Sequence, residues 1–258
     1  MSHCLIIIDP QNSFCKKVAP ELQQLLHDGE LCVPGAWEDM ERLAAHIGNQ
    51  GDEYDQIVVT GDCHPWVHVA HPDFYVDSVD PYHGAGPQPF STLKREGTSG
   101  RFSDGTGVFR FADESLKIDD LNEITIWPPH CIAGTPGSLI VEPLARSLIG
   151  WQKYRQRSVD YLIKGQDPYH EQFSAWKATG YKPLEYYVKN YERLSWAGEA
   201  LSHCVAQTVE DAVAALGNGV LHKSFLLRNA TSSVPGYEAK SEALMDSWQL
   251  NGLRLGVI

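Results

Sequence analysis

"LSWAGEALSHCVAQTVEDAVAAL", residues 194–216, changes its period halfway along. Leu194 and Trp196 alternate as in a strand that runs into Gly198. Val205, Val209, Ala212, Val213 and Leu216 then fall on one face of a helix, which Gly217 stops. A strand that passes directly into a helix is half of a parallel-sheet crossover. Cys204 lies where one becomes the other. A cysteine there is either a small packed residue or a thiol whose pKa a helix N-terminus and nearby cations lower to roughly 3.5–7.5. On this stretch alone packing is the plainer reading, because buried free cysteine is common.

The same rhythm runs through the chain. "CLIIID" (4–9), "QIVVTGD" (56–62), "NEITIW" (122–127), "SVDYLIK" (158–164), "LSWAGE" (194–199) and the weaker "GVLHKSF" (219–225) read as strands. Helices are expected over 35–50, with Trp37, Met40, Leu43, Ala44 and Ile47 inward, over 142–154 with Pro143 in its first turn, and over 237–250. Near-continuous apolar strands alternating with helices predict an α/β fold with three αβα layers, Rossmann-like, its mostly parallel six-stranded sheet covered by helices on both faces. We expect one domain over residues 1–258. Residues 72–120, rich in Gly, Pro, Asp and aromatics, break the rhythm as an inserted cover or subunit contact, or as a surface excursion without a part in the chemistry.

Composition narrows the function classes. With 33 acidic against 21 basic residues the formal charge is −12, and no basic stripe is visible, which argues against nucleic-acid or anionic-membrane partners. "CLIII" meets Asp9 at once and has neither the basic flank nor the cleavage site of a signal peptide. Six cysteines (Cys4, Cys15, Cys32, Cys63, Cys131 and Cys204) follow no disulfide-like spacing, so free thiols in a reducing, cytoplasmic setting are expected.

Open parallel sheets bind ligands outside the carboxyl ends of their strands. The strand ends here carry Asp9, Asp62, His130, Lys164 and Cys204. Asp9 is a candidate proton acceptor, Lys164 a cation able to favour a thiolate, and Cys204 a nucleophile. Taken singly, each also reads as a cap, a solvated strand end or a packed residue. Asp62 and His64 stand two apart, and His130 follows the neighbouring strand; one carboxylate and two imidazoles suit a divalent metal with open positions. His68 and His71 lie nearby and read more simply as loop lining.

Together these stretches resemble the nicotinamidase branch of the isochorismatase-like cysteine hydrolases. "IIIDPQNSFC" is similar to the family's opening segment, "DCHPWVH" to its metal loop, and "WPPHCIAGTPGS" to its Trp-Pro-x-His-Cys motif. "IKGQDPYHEQFSAW" resembles its lysine strand and "GEALSHCVAQTVEDAV" its nucleophile segment. The resemblance implies Cys204 as nucleophile, Asp9 as base and Lys164 as the cation between them. It implies metal binding by Asp62, His64 and His130, with zinc first and iron or manganese as alternatives. It further implies a cis peptide at Glu199–Ala200, an oxyanion hole from the Ala200 and Cys204 amides, and aromatic walls from Phe14 and Trp127.

The activity so implied is hydrolysis of nicotinamide to nicotinate and ammonia, as in NAD salvage, by a homo-oligomer. A related hydrolase of another small amide, ureido or carbamoyl group is the alternative, and a non-catalytic metal-binding or partner-binding protein is the third reading. Ser13 stands where relatives carry Asp, and Cys63 replaces the usual aromatic beside Asp62, so the pocket wall and the surroundings of the metal are expected to differ. Cys131 is a rival thiol, set back because it follows the expected metal ligand.

Overall fold

The computed structural model describes residues 1–15, 31–97 and 100–258. In chain order its strands are β1 (His3–Ile8), β2 (Gln56–Asp62), β3 (Tyr75–Asp77), β4 (Thr92–Glu96), β5 (Arg101–Ser103), β6 (Val108–Phe111), β7 (Glu123–Thr125), β8 (Asp160–Lys164), β9 (Thr179–Gly180), β10 (Arg193–Gly198), β11 (Ser224–Leu227) and β12 (Arg254–Gly256). Every residue of β1 is buried, as four successive aliphatic residues require, so the strand needs cover on both faces and neighbours on both sides. It sits at the middle of a sheet of order β12–β11–β10–β1–β2–β8–β9, parallel except for the short antiparallel edge strand β9.

Alternate residues of the central strands feed two apolar clusters. Leu5, Ile7, Ile57 and Val59 pack with Met40, Leu43 and Ile47 of the helix Ala36–Gln50 and with Leu148 of the helix Glu142–Arg155. Ile6, Ile8, Val58 and Trp196 pack with Val209 and Ala212 of the helix Ala206–Leu216 and with Trp248 of the helix Glu238–Leu250. Each such aliphatic side chain contributes about 1.5–3 kcal/mol on full burial. The chain leaves β1 outward through β2 to β8, then returns to begin again beside β1 at β10. The order reverses between β1 and β10, and the carboxyl ends of these two strands border the resulting crevice.

Three strand expectations are corrected. Residues 122–127 do not join the parallel sheet; β7 closes a second, antiparallel sheet of order β3–β6–β5–β4–β7. Its burial shows why: Glu123 is exposed, Ile124 buried, Thr125 half-buried and Ile126 buried, the period of a one-sided strand rather than a two-sided one. Residues Gly219–His222 form a helical turn, with Val220 and Leu221 buried side by side, and the strand begins only at Ser224. The sixth parallel strand is instead β12, three half-buried or exposed residues at the sheet edge that carry little apolar signal.

The second sheet is built from the 72–120 segment together with β7. Its inward residues Phe102, Phe109 and Phe111 belong to the same buried cluster as Leu5 of β1. Among the described residues no helix is long and apolar enough to cross a membrane.

Candidate active site

Asp9 follows β1 at φ 44°, a left-handed conformation that aspartate tolerates better than most residues. Thr60 of β2 fixes it twice: the Asp9 amide donates to Thr60 Oγ1 at 3.1 Å, and that hydroxyl donates to Asp9 Oδ1 at 2.6 Å. Asp62 ends β2, and the Gln11 side chain clamps its backbone, accepting its N–H and donating to its carbonyl, both at 2.7 Å. Lys164 ends β8 as the register partner of Asp62, which sets the two side chains next to each other.

The Lys164 ammonium is buried and joins the strand ends. Its Nζ lies 2.9 Å from Asp9 Oδ2, 3.0 Å from Asp62 Oδ2 and 3.6 Å from Cys204 Sγ, and it donates to the Gln172 carbonyl at 3.2 Å. Cys204 projects from a π-helical turn, Leu201–Val205, that opens the helix Ala206–Leu216. Such turns recur at functional sites. The ligating atoms of Asp9, Asp62 and Cys204 lie within 4.8 Å of one another. The structure thus brings together all three residues expected to carry the chemistry.

Burial and charge set the resting protonation. Burial works to discharge Lys164, but Asp62, Asp9 and Cys204 overcome it and hold its pKa well above the usual value. Burial also works to raise Asp62, yet Lys164 and then His64 hold that carboxyl far below the usual range. For Asp9 burial prevails over Lys164, and its affinity for a proton is raised. The expected lowering of the Cys204 thiol is not found: burial pushes it well above its ordinary value, Lys164 opposing and Asp9 and Asp62 reinforcing. The resting group is a thiol beside a carboxylate primed to take its proton.

His64 Nε2 stands 3.2 Å and His130 Nε2 4.0 Å from Asp62 Oδ2. Each imidazole donates its Nδ1–H to a backbone carbonyl at 2.9 Å, Gly165 for His64 and Pro128 for His130, which leaves the Nε2 lone pair facing the carboxylate. Asp62 Oδ1 and His64 Nε2 are buried without a hydrogen-bond partner. Gly165, at φ 75°, makes room for this cluster; a Cβ there would sit 2.2 Å from Asp62 Oδ1 and 2.7 Å from the His64 ring. An N,N,O donor set with fixed tautomers and orphaned atoms fits a divalent metal. His130 reaches it from the loop after β7 of the second sheet, not from a parallel strand as its position suggested.

His68 and His71 are fully buried and pack against His64 with ring centroids 4.3 and 5.4 Å away. His68 Nδ1 accepts the Ala70 N–H, and burial lowers the pKa of His68 to about 3 and that of His71 to about 4. Ser13 Oγ accepts the Cys131 N–H at 2.9 Å, so the serine in place of the family's aspartate holds the His130 loop. The Cys131 thiol is buried and does not line the cleft described next, and Cys63 is half-buried.

A narrow cleft of about 20 Å³ lies against these groups, and Cys204, Ala200, Asp62 and His130 are among the residues that line it. Both expected aromatic walls, Phe14 and Trp127, line it. The Glu199–Ala200 peptide is cis. Sequence reasoning passed over two further walls. Phe173 and His203 have ring centroids 5.4 Å apart and stand 6.4 and 5.2 Å from Trp127. Glu171, also unforeseen, lines the cleft with its Oε2 buried and without a hydrogen-bond partner. The adjacency of His203 to Cys204 was the one available signal.

No family model matches the chain. Two curated relatives do: the nicotinamidase of Saccharomyces cerevisiae, 25% identical over 209 residues (79% of this chain and 78% of the relative), and the nicotinamidase/pyrazinamidase of Mycobacterium tuberculosis, 25% identical over 211 residues (81% and 77%). The yeast nicotinamidase bound to the inhibitor nicotinaldehyde superposes with a TM-score of 0.65 at 20% identity, covering 99% of this chain and all of the other (100%). The pyrazinamidase of Pyrococcus horikoshii in complex with zinc superposes at 0.58 and 19% identity, covering 100% of each chain. Sequence and fold alike bear out the resemblance to the nicotinamidase branch of the isochorismatase-like hydrolases.

Proposed function

We propose, with the resemblance to nicotinamidases as premise, that this chain hydrolyses nicotinamide to nicotinate and ammonia through a thioester on Cys204. The observation that carries the reading is the buried Lys164 ammonium in contact with Asp9, Asp62 and Cys204 beneath an aromatic cleft. Phe14 and Trp127 sandwich the flat ring and direct its carboxamide onto Cys204. Asp62, His64 and His130 would hold a divalent metal, zinc in the first place, which would supply an electron-pair acceptor beside the cleft. The relatives solved with nicotinaldehyde and with zinc support a nicotinamide-like ligand and a divalent metal.

The chemistry follows from the proton inventory. Asp9 takes the Cys204 proton as the sulfur attacks the amide carbon, so a thiol with a raised pKa becomes nucleophilic only in the encounter. Lys164 stays charged throughout and stabilises the negative charge as it passes from the Asp9 carboxylate to the sulfur. The Ala200 and Cys204 amides receive the oxyanion. Asp9 then returns the proton to the departing nitrogen, and ammonia leaves. It next removes a proton from water, whose oxygen attacks the thioester carbonyl; the acid is released and the proton restores the thiol.

The chain is taken to act in the cytoplasm and as a homo-oligomer, as the sequence reading expects. The test is ammonia release from nicotinamide by the full chain, with and without chelator, beside Cys204→Ala and a panel of other small amides. Turnover of nicotinamide that chelator reduces and Cys204→Ala abolishes is expected. Full turnover by Cys204→Ala sinks the mechanism, and preference for a ureido or carbamoyl compound sinks the substrate.

A further inference from the structure

Glu199 is fully buried in the nucleophile turn, one residue before Ala200. Its Oε2 accepts the Ser232 N–H at 3.1 Å, whereas Oε1 is buried and without a hydrogen-bond partner. An ionised carboxylate in such a place is costly unless a cation pairs with it, and among the described residues no ion pair reaches Glu199. The nearby cation, Arg42, is engaged elsewhere: it binds Asp39 Oδ1 and donates Nε–H to the Asn229 carbonyl at 2.7 Å. Ser232 links the two acids, since its hydroxyl donates to Asp39 Oδ2. Its carbonyl also accepts the Leu201 N–H at 2.8 Å. One serine therefore holds residues 199 and 201, on either side of Ala200.

We infer that Glu199 is a positioning residue: as the neutral acid it ties the Ala200 turn, through Ser232 and Asp39, to the helix Ala36–Gln50 and fixes the amide that meets the oxyanion. The oxyanion part of this inference rests on the amidase reading; the charge state does not. The groups that face Glu199 are Asp39 and Arg42 on that helix and Cys15 at the end of the turn Asn12–Cys15. Burial first and the Asp39 charge second push the Glu199 carboxyl well above the usual range, against the Ser232 N–H and Arg42. The Cys15 thiol, itself raised by burial, adds no charge.

The neutral acid has a neutral isostere, which makes the inference sharp. Wild type, Glu199→Gln and Glu199→Ala are compared as full chains on nicotinamide in zinc-supplemented buffer. The glutamine variant is expected to keep kcat within about 3-fold. The alanine variant is expected to lose about 10–100-fold in kcat with KM nearly unchanged, as misplacing a group that acts in the transition state should. Infrared difference spectra of wild type against Glu199→Gln should show a protonated carboxylic-acid band at neutral pH that the variant lacks. The stability of Glu199→Gln relative to wild type should grow from pH 5 to pH 8, because an acid with a raised folded pKa costs wild type stability as pH rises.

Damage by glutamine equal to that by alanine, or a missing acid band, overturns the neutral-acid assignment. An alanine variant with normal kcat overturns the positioning role. The infrared and stability readouts decide the charge state even if Glu199→Ala does not fold. A wild type inactive on nicotinamide, with the acid band present, faults the amidase reading and not the charge state.

Discussion

Gly198 is the last residue of β10, at φ 107°, where β10 runs beside β1 at the reversal of the strand order. A Cβ there would lie 2.0 Å from the Ile8 carbonyl oxygen and 2.5 Å from the Ile8 nitrogen, both backbone atoms of the sheet's central strand. Gly198→Ala therefore cannot be absorbed by a side-chain rotation. Backbone strain at positive φ costs on the order of 1–3 kcal/mol, and forced displacement of packed neighbours costs about 1–3 kcal/mol more. A loss near 4 kcal/mol is expected, a large share of the 5–15 kcal/mol typical of a folded domain.

The displaced atoms lie next to the chemistry. Ile8 O accepts the Glu199 N–H at 2.7 Å, and Ile8 precedes Asp9, so relief of the clash separates the base from the nucleophile turn. Urea titration should show a midpoint lowered by about 1 M or more with an unchanged slope. Ammonia release from nicotinamide, measured at low urea where the variant is folded, should fall by about 100-fold or more. A Gly198→Ala protein within about 1 kcal/mol of wild type, or with full turnover, would refute the reasoning from close approach.

Lys164→Met leaves two buried carboxylates without their shared cation; stability should fall by about 3–5 kcal/mol and kcat by at least 100-fold, read by urea titration and ammonia release. Gly165→Ala should lower bound metal per chain, measured by atomic absorption, while the far-ultraviolet dichroism stays native; unchanged stoichiometry would disqualify the Asp62–His64 cradle. Burial and Lys240 lower the pKa of His203 to about 4, below its unfolded value. Its neutral form thus contributes stability that is complete above about pH 6.5 and is lost as pH falls towards 4, at most about 3 kcal/mol. His203→Phe should flatten the urea midpoint across that window, and an equally steep decline would assign the acid sensitivity elsewhere.

What the sequence disclosed follows from how far each interaction reaches along the chain. β1, β2 and β10 are buried on both faces and read as apolar runs, and β8 reads as a short strand although its Tyr161 is exposed, so the strand ends, and with them Asp9, Asp62, Lys164 and Cys204, could be placed at one edge. β7 and β12 were misread or missed because a one-sided strand and a three-residue edge strand carry weaker patterns. The clustering of Asp62, His64 and His130 was legible through spacing, although His130 arrives from a different sheet than expected. The Cys204 thiol was read as activated because charge neighbours are visible in a strand pattern and the depth of burial is not. Glu199 gave no hint of its network, since Asp39 and Ser232 meet it only through the tertiary fold.

The two sheets share the site unequally. The proposed base and cation stand at the ends of parallel strands, and the proposed nucleophile in the turn that follows one, where amides open only when the core does. His130 and Trp127 belong instead to the chain leaving the second sheet, and His64 is stitched to that loop through the Cys131 carbonyl and the Ala133 amide. A metal there would act as a rivet between frame and cover. Drift in the 72–120 segment would then register first as altered metal retention and ring selectivity, with the sulfur chemistry beneath it untouched.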